Sequence, residues 1–353
     1  MAAPLRYPLI LLAWGTMAAI YLPLLPAAGE LVGAARSPAH WRALFADPQL
    51  GQALAATLVS TLLSVGGALL IALTIVAPLS PPARRRRLAS RLPLLPAVPP
   101  LALAPAALLL LAKARCLRQY FRFSGRLLAA LLPLSGLLGA LLLAGLARSA
   151  PPQMDALGNS LGLALAACAL GAAVCLLWLA CGPARGDGWV WLPLVLPALP
   201  LADGQYRLAL YAWLDGDWWT VLWGHLLWVV PWMLFILRPA WRQRDPRLTV
   251  VARTLGWGST RIFWLLTLPS LTRPLLTALA VGFSVSIAQY LPTLWLGAGR
   301  IPTLTSQAVA LSSGGEAQTL AAQALWQLLL PAVCFTLTAL LAWLAGRYRR
   351  GLR

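Results

Sequence analysis

Eight apolar runs, each close to the ~20 residues that a helix needs to cross a hydrocarbon core, follow one another along this 353-residue chain. They lie near residues 8–28, 52–77, 127–146, 157–181, 189–211, 220–237, 274–297 and 323–345. A backbone in lipid has no water to bond, so each run must satisfy its own N–H and C=O groups. The expected fold class is an all-α polytopic membrane protein with about eight transmembrane helices. Composition agrees: 60% of residues are hydrophobic and 10% charged, where a soluble domain carries roughly 25% charged. The first run follows Arg6 and ends at Ala27-Ala28, as a secretory signal would. The repeated runs downstream favour a retained span instead.

A net charge of +19 would point to nucleic acid if it formed a basic domain. Instead 21 of the 28 Lys and Arg residues fall in four clusters, at 84–91, 113–126, 238–273 and 347–353. Each cluster flanks or links apolar runs, where cytoplasmic loops concentrate Lys and Arg. Glu30, Asp47, Asp155, Asp215, Asp217 and Glu316 fall in the other connections. The charge is topological, so the partner is a lipid bilayer and no nucleic acid is expected. Both termini are expected on the cytoplasmic side.

Counting spans inward from the two ends gives topologies that disagree over residues 92–112, which have basic clusters on both sides. Pro93, Pro96, Pro99, Pro100 and Pro105 interrupt this segment, and each removes a backbone donor and clashes with the preceding turn. Non-helical backbone at membrane depth needs shielding by protein. The expectation is one irregular or re-entrant Pro-rich segment; a ninth full span with one inverted basic loop is the alternative.

The connection 238–273 reads as two short helices. Asp245 can cap the first, and Pro246 suits its first position, where no N–H is needed. Leu248, Val251, Ala252 and Leu255 recur at i, i+3, i+4 and i+7 as one apolar stripe. Gly256 supplies a stop. Ser259 or Thr260 can begin a second helix bearing Ile262, Phe263 and Leu266, with Leu268-Pro269 ending it. On pattern alone such a basic, amphipathic hairpin either docks on a partner or lies on the membrane surface.

Val250-Val251-Ala252, Gly256 and Leu268-Pro269 resemble the EAA signature of ABC importer inner-membrane permeases, the binding-protein-dependent transport family. Three residues separate Ala252 from Gly256 and eleven separate Gly256 from Leu268, as in that signature. Its Glu is Val250 here. The resemblance implies that Ala252, Gly256, Leu268 and Pro269 form a coupling loop for cytoplasmic ABC ATPase subunits. It further implies a periplasmic or extracellular solute-binding protein, and a bacterial inner-membrane location. It covers about 157–345, a C-terminal five-span permease core. Gln289-Tyr290-Leu291-Pro292-Thr293 and Gly299-Arg300-Ile301-Pro302-Thr303 look like fused permeases, in which one chain carries two halves, each with its own EAA loop. Here the first half has no recognisable loop. The domains are then a degenerate N-terminal half at 1–126, a linking span and loop at 127–156, and the core at 157–353. A second permease copy is one way to engage two ATPases.

Other residues are weaker candidates. Ser286, Gln289 and Tyr290, at i, i+3 and i+4, either line a pathway or hold the bundle by interhelical hydrogen bonds. Asp203 and Arg207 are expected to form a structural i, i+4 pair. Trp213, Trp218, Trp219 and Trp223 suit an interfacial belt, and Thr57, Ser60, Thr61 and Ser64 suit helix packing. No GxxxxGK[ST] loop occurs in the sequence, so ATP hydrolysis is expected on another subunit. The five cysteines form no CxxC pair, and His40 and His225 read as packing residues. No cofactor or metal is expected. The alternatives are an ion-coupled secondary transporter, for which Asp203 and His225 are the candidate titrating groups, and an intramembrane enzyme.

Overall fold

Pro23, Pro197 and Pro292 stand at or beside breaks in the apolar runs, whereas Pro231 and Pro331 lie inside continuous helices. The computed structural model describes residues 3–76, 153–183, 187–312 and 317–347. The expectations for 84–91, 92–112, 113–126, 127–146 and most of the basic tail lie outside the described residues.

The elements are α1 (Ala3–Tyr21), α2 (Leu24–Arg36), α3 (Pro38–Ala46), α4 (Leu50–Val76) and α5 (Met154–Cys181). A 3-10 turn at Gly188–Trp191 leads into α6 (Leu192–Val195), α7 (Ala198–Tyr211) and α8 (Trp218–Arg242). The hairpin region contains α9 (Pro246–Thr254), α10 (Ser259–Ile262), a π turn at Phe263–Thr267 and α11 (Leu268–Ser270). The remaining helices are α12 (Thr272–Ile287), α13 (Leu291–Leu296), α14 (Leu304–Ser312) and α15 (Ala317–Arg347). No strand occurs among the described residues.

Four described helices are long and apolar enough to cross a membrane, or up to six if each of two bent pairs counts as one span. The expected spans at 52–77, 157–181, 220–237 and 323–345 correspond to α4, α5, α8 and α15. That at 8–28 corresponds to one bent pair, whereas 274–297 divides into α12, the second arm of the other bent pair, and α13. The run 189–211 is not the single helix expected. It breaks at Leu196 and Pro197, whose ψ angles of 148° and 144° are extended. Pro193 and Pro197 lack N–H donors, and a residue before proline is pushed out of the helical region. The chain is nonetheless an all-α polytopic membrane protein.

The described residues fall into two units. In the first, α8 is central, with 72% of its span buried, whereas α15 is peripheral with 11%. Small residues allow the close approach of α8 to its neighbours. A Cβ at Gly171 on α5, or at Gly282 on α12, would come 3.0 Å from the Met233 sulfur on α8. In lipid, where the solvent is as apolar as the side chains, this close packing holds helices together. Leu163, Leu227, Val230 and Leu234 fill the same core with no exposure above 2%. α1 joins it through the Tyr21 hydroxyl, which donates to the Val190 carbonyl at 2.9 Å. The Trp223 indole likewise donates to the Ala19 carbonyl at 2.9 Å.

The second unit contains α3 and α4. On α4 the side chains from 51 to 67 are exposed, and the Thr57 and Ser60 hydroxyls bond back to their own helix. The stripe expected to pack a neighbouring helix has no covering helix among the described residues.

Candidate functional site

The hairpin after α8 is built by local capping. The Asp245 carboxylate accepts from the Arg247 N–H at 2.9 Å, and Pro246 opens α9. At the other end Gly256 takes φ +78°. The Gly256 N–H donates to the Arg253 carbonyl and the Trp257 N–H to the Ala252 carbonyl, both at 3.0 Å. These two bonds form a Schellman motif, which satisfies helix-end carbonyls and needs a left-handed residue at its centre. Glycine adopts that conformation without steric cost. Arg261 then lies over the Trp257 ring, 4.7 Å from its centroid.

The apolar residues of α9 divide. Ala252 is 5% exposed, whereas Leu248 and Val251 are each 55% exposed and Leu255 70%. The single stripe expected from spacing is therefore one inward alanine beside an outward face.

Leu268-Pro269 does not end the second helix outright. Pro269 lacks the N–H that would bond the Leu265 carbonyl, and its ring crowds that group. The helix loosens into the π turn at Phe263–Thr267 immediately before it. Helical structure then continues to Ser270 and turns at Leu271, where the axis bends 71° into α12. Leu271 is 1% exposed, and its N–H is shared between the Thr267 and Leu268 carbonyls at 3.3 and 3.1 Å. Leu268 and Pro269 are half-buried in this elbow.

At the other end of α12 the second candidate group separates. Ser286 is buried, but α12 stops at Ile287 and α13 begins at Leu291. Gln289 and Tyr290 lie half-buried in the break, off any shared helix face with Ser286. The reading that put all three on one face assumed an unbroken 274–297 helix. Pro292, in the first turn of α13, lacks the N–H that would bond the Ala288 carbonyl and continue α12.

What meets Ser286 is His225, read from the sequence as a packing or interface residue and, for a secondary transporter, as a titrating group. His225 Nδ1 is 2.7 Å from Ser286 Oγ, and Nε2 is 3.0 Å from Thr293 Oγ1. Thr293 Oγ1 in turn donates to the Gln289 carbonyl at 3.3 Å. One direction satisfies the chain: Ser286 donates to Nδ1 of a neutral imidazole, and Nε2–H donates to Thr293. The signal available in the sequence was a lone histidine inside the apolar run of α8, because an ionisable group at membrane depth is a functional suspect by default.

The segment 302–305, between the last two expected spans, is gripped by the bundle. Asn159 Nδ2 donates to the Pro302 carbonyl at 3.0 Å, and the Leu304 N–H donates to Ser160 Oγ at 2.9 Å. Gln327 Nε2 donates to the Leu304 carbonyl at 2.9 Å, and Thr305 bonds the Ile287 carbonyl. Polar side chains on α5 and α15 thereby replace the water that this irregular backbone lacks.

Elsewhere the expected Asp203–Arg207 pair forms at 2.8 Å. Arg238 pairs with Asp187, which also accepts from the Trp178 indole at 3.5 Å. Burial alone would raise the Asp187 pKa, but the hydrogen bond and charge of Arg238 and the bond from Trp178 outweigh it and hold it below the ordinary value. No cluster of His, Cys, Asp or Glu suited to a metal ion occurs among the described residues.

Comparison with known proteins fits this geometry. The family described as binding-protein-dependent transport system inner membrane component matches residues 71–350, more than the 157–345 covered by the motif resemblance. The inner membrane ABC transporter permease protein YnjC of Escherichia coli (strain K12) is 39% identical over an aligned length of 511, with 100% of each chain covered. Because this chain has 353 residues, at least 158 aligned positions (511 less 353) face gaps in it, and full coverage of both chains makes those gaps internal. A spermidine/putrescine transport system permease protein PotC homolog of Mycoplasma genitalium is 26% identical over 102 residues, 29% of this chain and 36% of that protein. The chain therefore belongs to the binding-protein-dependent transport system inner membrane component family, and its work is that of a permease subunit in an ATP-driven solute importer.

Proposed function

We propose that α9 to α11, within the loop 238–273, form the surface on which a separate cytoplasmic ATPase subunit seats, and that α12 carries the subunit's movement into the bundle. The observation behind this reading is the outward face of α9, with Leu248, Val251 and Leu255 all more than half exposed. An apolar face of this kind on a polar, basic loop suits a protein partner. Ala252 anchors the helix, Gly256 reverses the chain, and Leu268 with Pro269 form the elbow. Ser286 belongs to the closed state through His225, while Gln289 and Tyr290 line the path where backbone is unwound, as at the broken helices of other transporters.

On this reading the termini and 238–273 are cytoplasmic, and an external solute-binding protein delivers solute near 298–322. ATP is hydrolysed on the partner, whose unequal affinity for the inward- and outward-facing states supplies the driving energy. The division into 1–126, 127–156 and 157–353 goes with it. The internal shortfall against the Escherichia coli relative, with no recognisable loop in the first half, favours two copies of this chain per transporter, each giving one loop to one ATPase.

The test is co-purification of the ATPase from native membranes, comparing wild type with Val251→Glu. The substituted side chain is exposed, so the chain should fold and the ATPase should be lost. Retention of the ATPase by Val251→Glu would refute docking on α9. Light scattering on the complex should give two permease chains; one chain per complex would refute the pairing.

A further inference from the structure

We propose that the last turn of α8 binds the headgroup of an anionic phospholipid. Trp191, Phe235, Arg238, Pro239, Arg242 and Gln243 line an open cavity of about 540 Å³ there. Arg238 and Arg242 are four apart and share one face of α8. They are not equivalent. Arg238 is committed to Asp187 and lies 5.8 Å from the centroid of the Trp191 ring. Arg242 is exposed and has neither an ion-pair partner nor an aromatic face among the described residues. The neighbouring Arg244 differs: it stacks on Trp241 at 3.6 Å and donates to the Trp241 carbonyl. The cavity thus carries one uncompensated positive charge, which matches one phosphodiester.

The apolar part of the cavity favours a lipid over a free anion. Phe235 and Trp232 lie seven and ten residues before Arg242, on the same face of α8. They are 60% and 38% exposed, and their rings meet edge to face at 6.2 Å. Trp191 closes the other side, 6.2 Å from Phe235. An acyl chain can follow this aromatic track toward the middle of the span while its phosphate rests on Arg242. The depth agrees: α8 has 25 residues, about 37 Å at 1.5 Å per residue, so its last turn falls at headgroup level. Basic pockets between helices at this level hold lipid headgroups.

The test is native mass spectrometry of the full chain in detergent, titrated with phosphatidylglycerol or with phosphatidylcholine of the same acyl chains. Wild type should prefer phosphatidylglycerol. Arg242→Gln should weaken that binding about fivefold, the contribution of one interfacial arginine. Arg242→Lys, which keeps the charge, and Arg253→Gln, on exposed α9, should leave it unchanged. An equal loss in Arg242→Gln and Arg253→Gln, or no preference between the lipids, would overturn the site. Competition by glycerol 1-phosphate as effective as by whole lipid would overturn the acyl track and leave an anion site alone.

Discussion

Substitution of Gly256 separates two reasons for a glycine at that position. Its φ is +78°, and a Cβ added there meets nothing within 4 Å. The cost of a side chain within the isolated hairpin is therefore conformational rather than steric. For an ordinary L-residue that cost is about 1–2 kcal/mol, a factor of roughly 5–30 in the population of the closed turn. Asparagine tolerates the left-handed region better than alanine, and β-branched residues tolerate it least. If the Schellman turn is what matters, ATPase affinity should rank Gly256, then Asn, then Ala, then Val. Hydrogen exchange at the Trp257 amide, which closes the turn on Ala252, should accelerate in the same order. The assay is titration of the purified ATPase against each variant in nanodiscs, with exchange measured on the permease alone. If affinity instead follows side-chain size, with Ala above Asn, a partner surface closes on this position and the conformational argument fails.

Two further outcomes are expected. Asp187→Asn removes one partner of a buried pair and should cost about 3 kcal/mol of stability near neutral pH. Because the native pKa lies below the ordinary 3.8, this stabilisation is complete above that value and fades as pH falls through the native pKa. The gap between wild type and Asp187→Asn should therefore close in acid unfolding titrations; a gap constant down to the lowest pH would refute the ion pair as its source. His225→Ala leaves two buried hydroxyls short of a partner and should cost about 1–3 kcal/mol. Solute uptake in reconstituted vesicles should fall with it, while ATPase binding at α9 stays intact.

The sequence was most informative where helices run uninterrupted. The spans at 157–181 and 220–237 fall inside α5 and α8 because each apolar run there stays in one continuous helix, with the charged residues confined to its ends. Asp245, Pro246 and Gly256 were readable for a different reason, since each acts through its own backbone. Hydropathy averages across a proline break, so 189–211 read as one helix although Pro197 divides it. The same averaging put Gln289 and Tyr290 on a helix with Ser286. The partners of His225 were not legible because Ser286 and Thr293 lie 61 and 68 residues away, and no local pattern links them.

On the proposed docking of an ATPase at the hairpin, the 71° bend at Leu271 makes α12 a lever with a short input and a long output. From Leu271 to Ser286 the arm is about 22 Å at 1.5 Å per residue. A hydrogen bond of 2.7 Å between Ser286 and His225 is lost after about 1 Å of stretch, which this arm delivers for a rotation of only about 3°. A rotation of about 10° carries Ser286 by about 4 Å, wide enough for a water molecule to enter where hydroxyl met imidazole. A partner therefore need not push far at the hairpin, only tilt it. The angle between α11 and α12 becomes the quantity to follow when the transporter turns over.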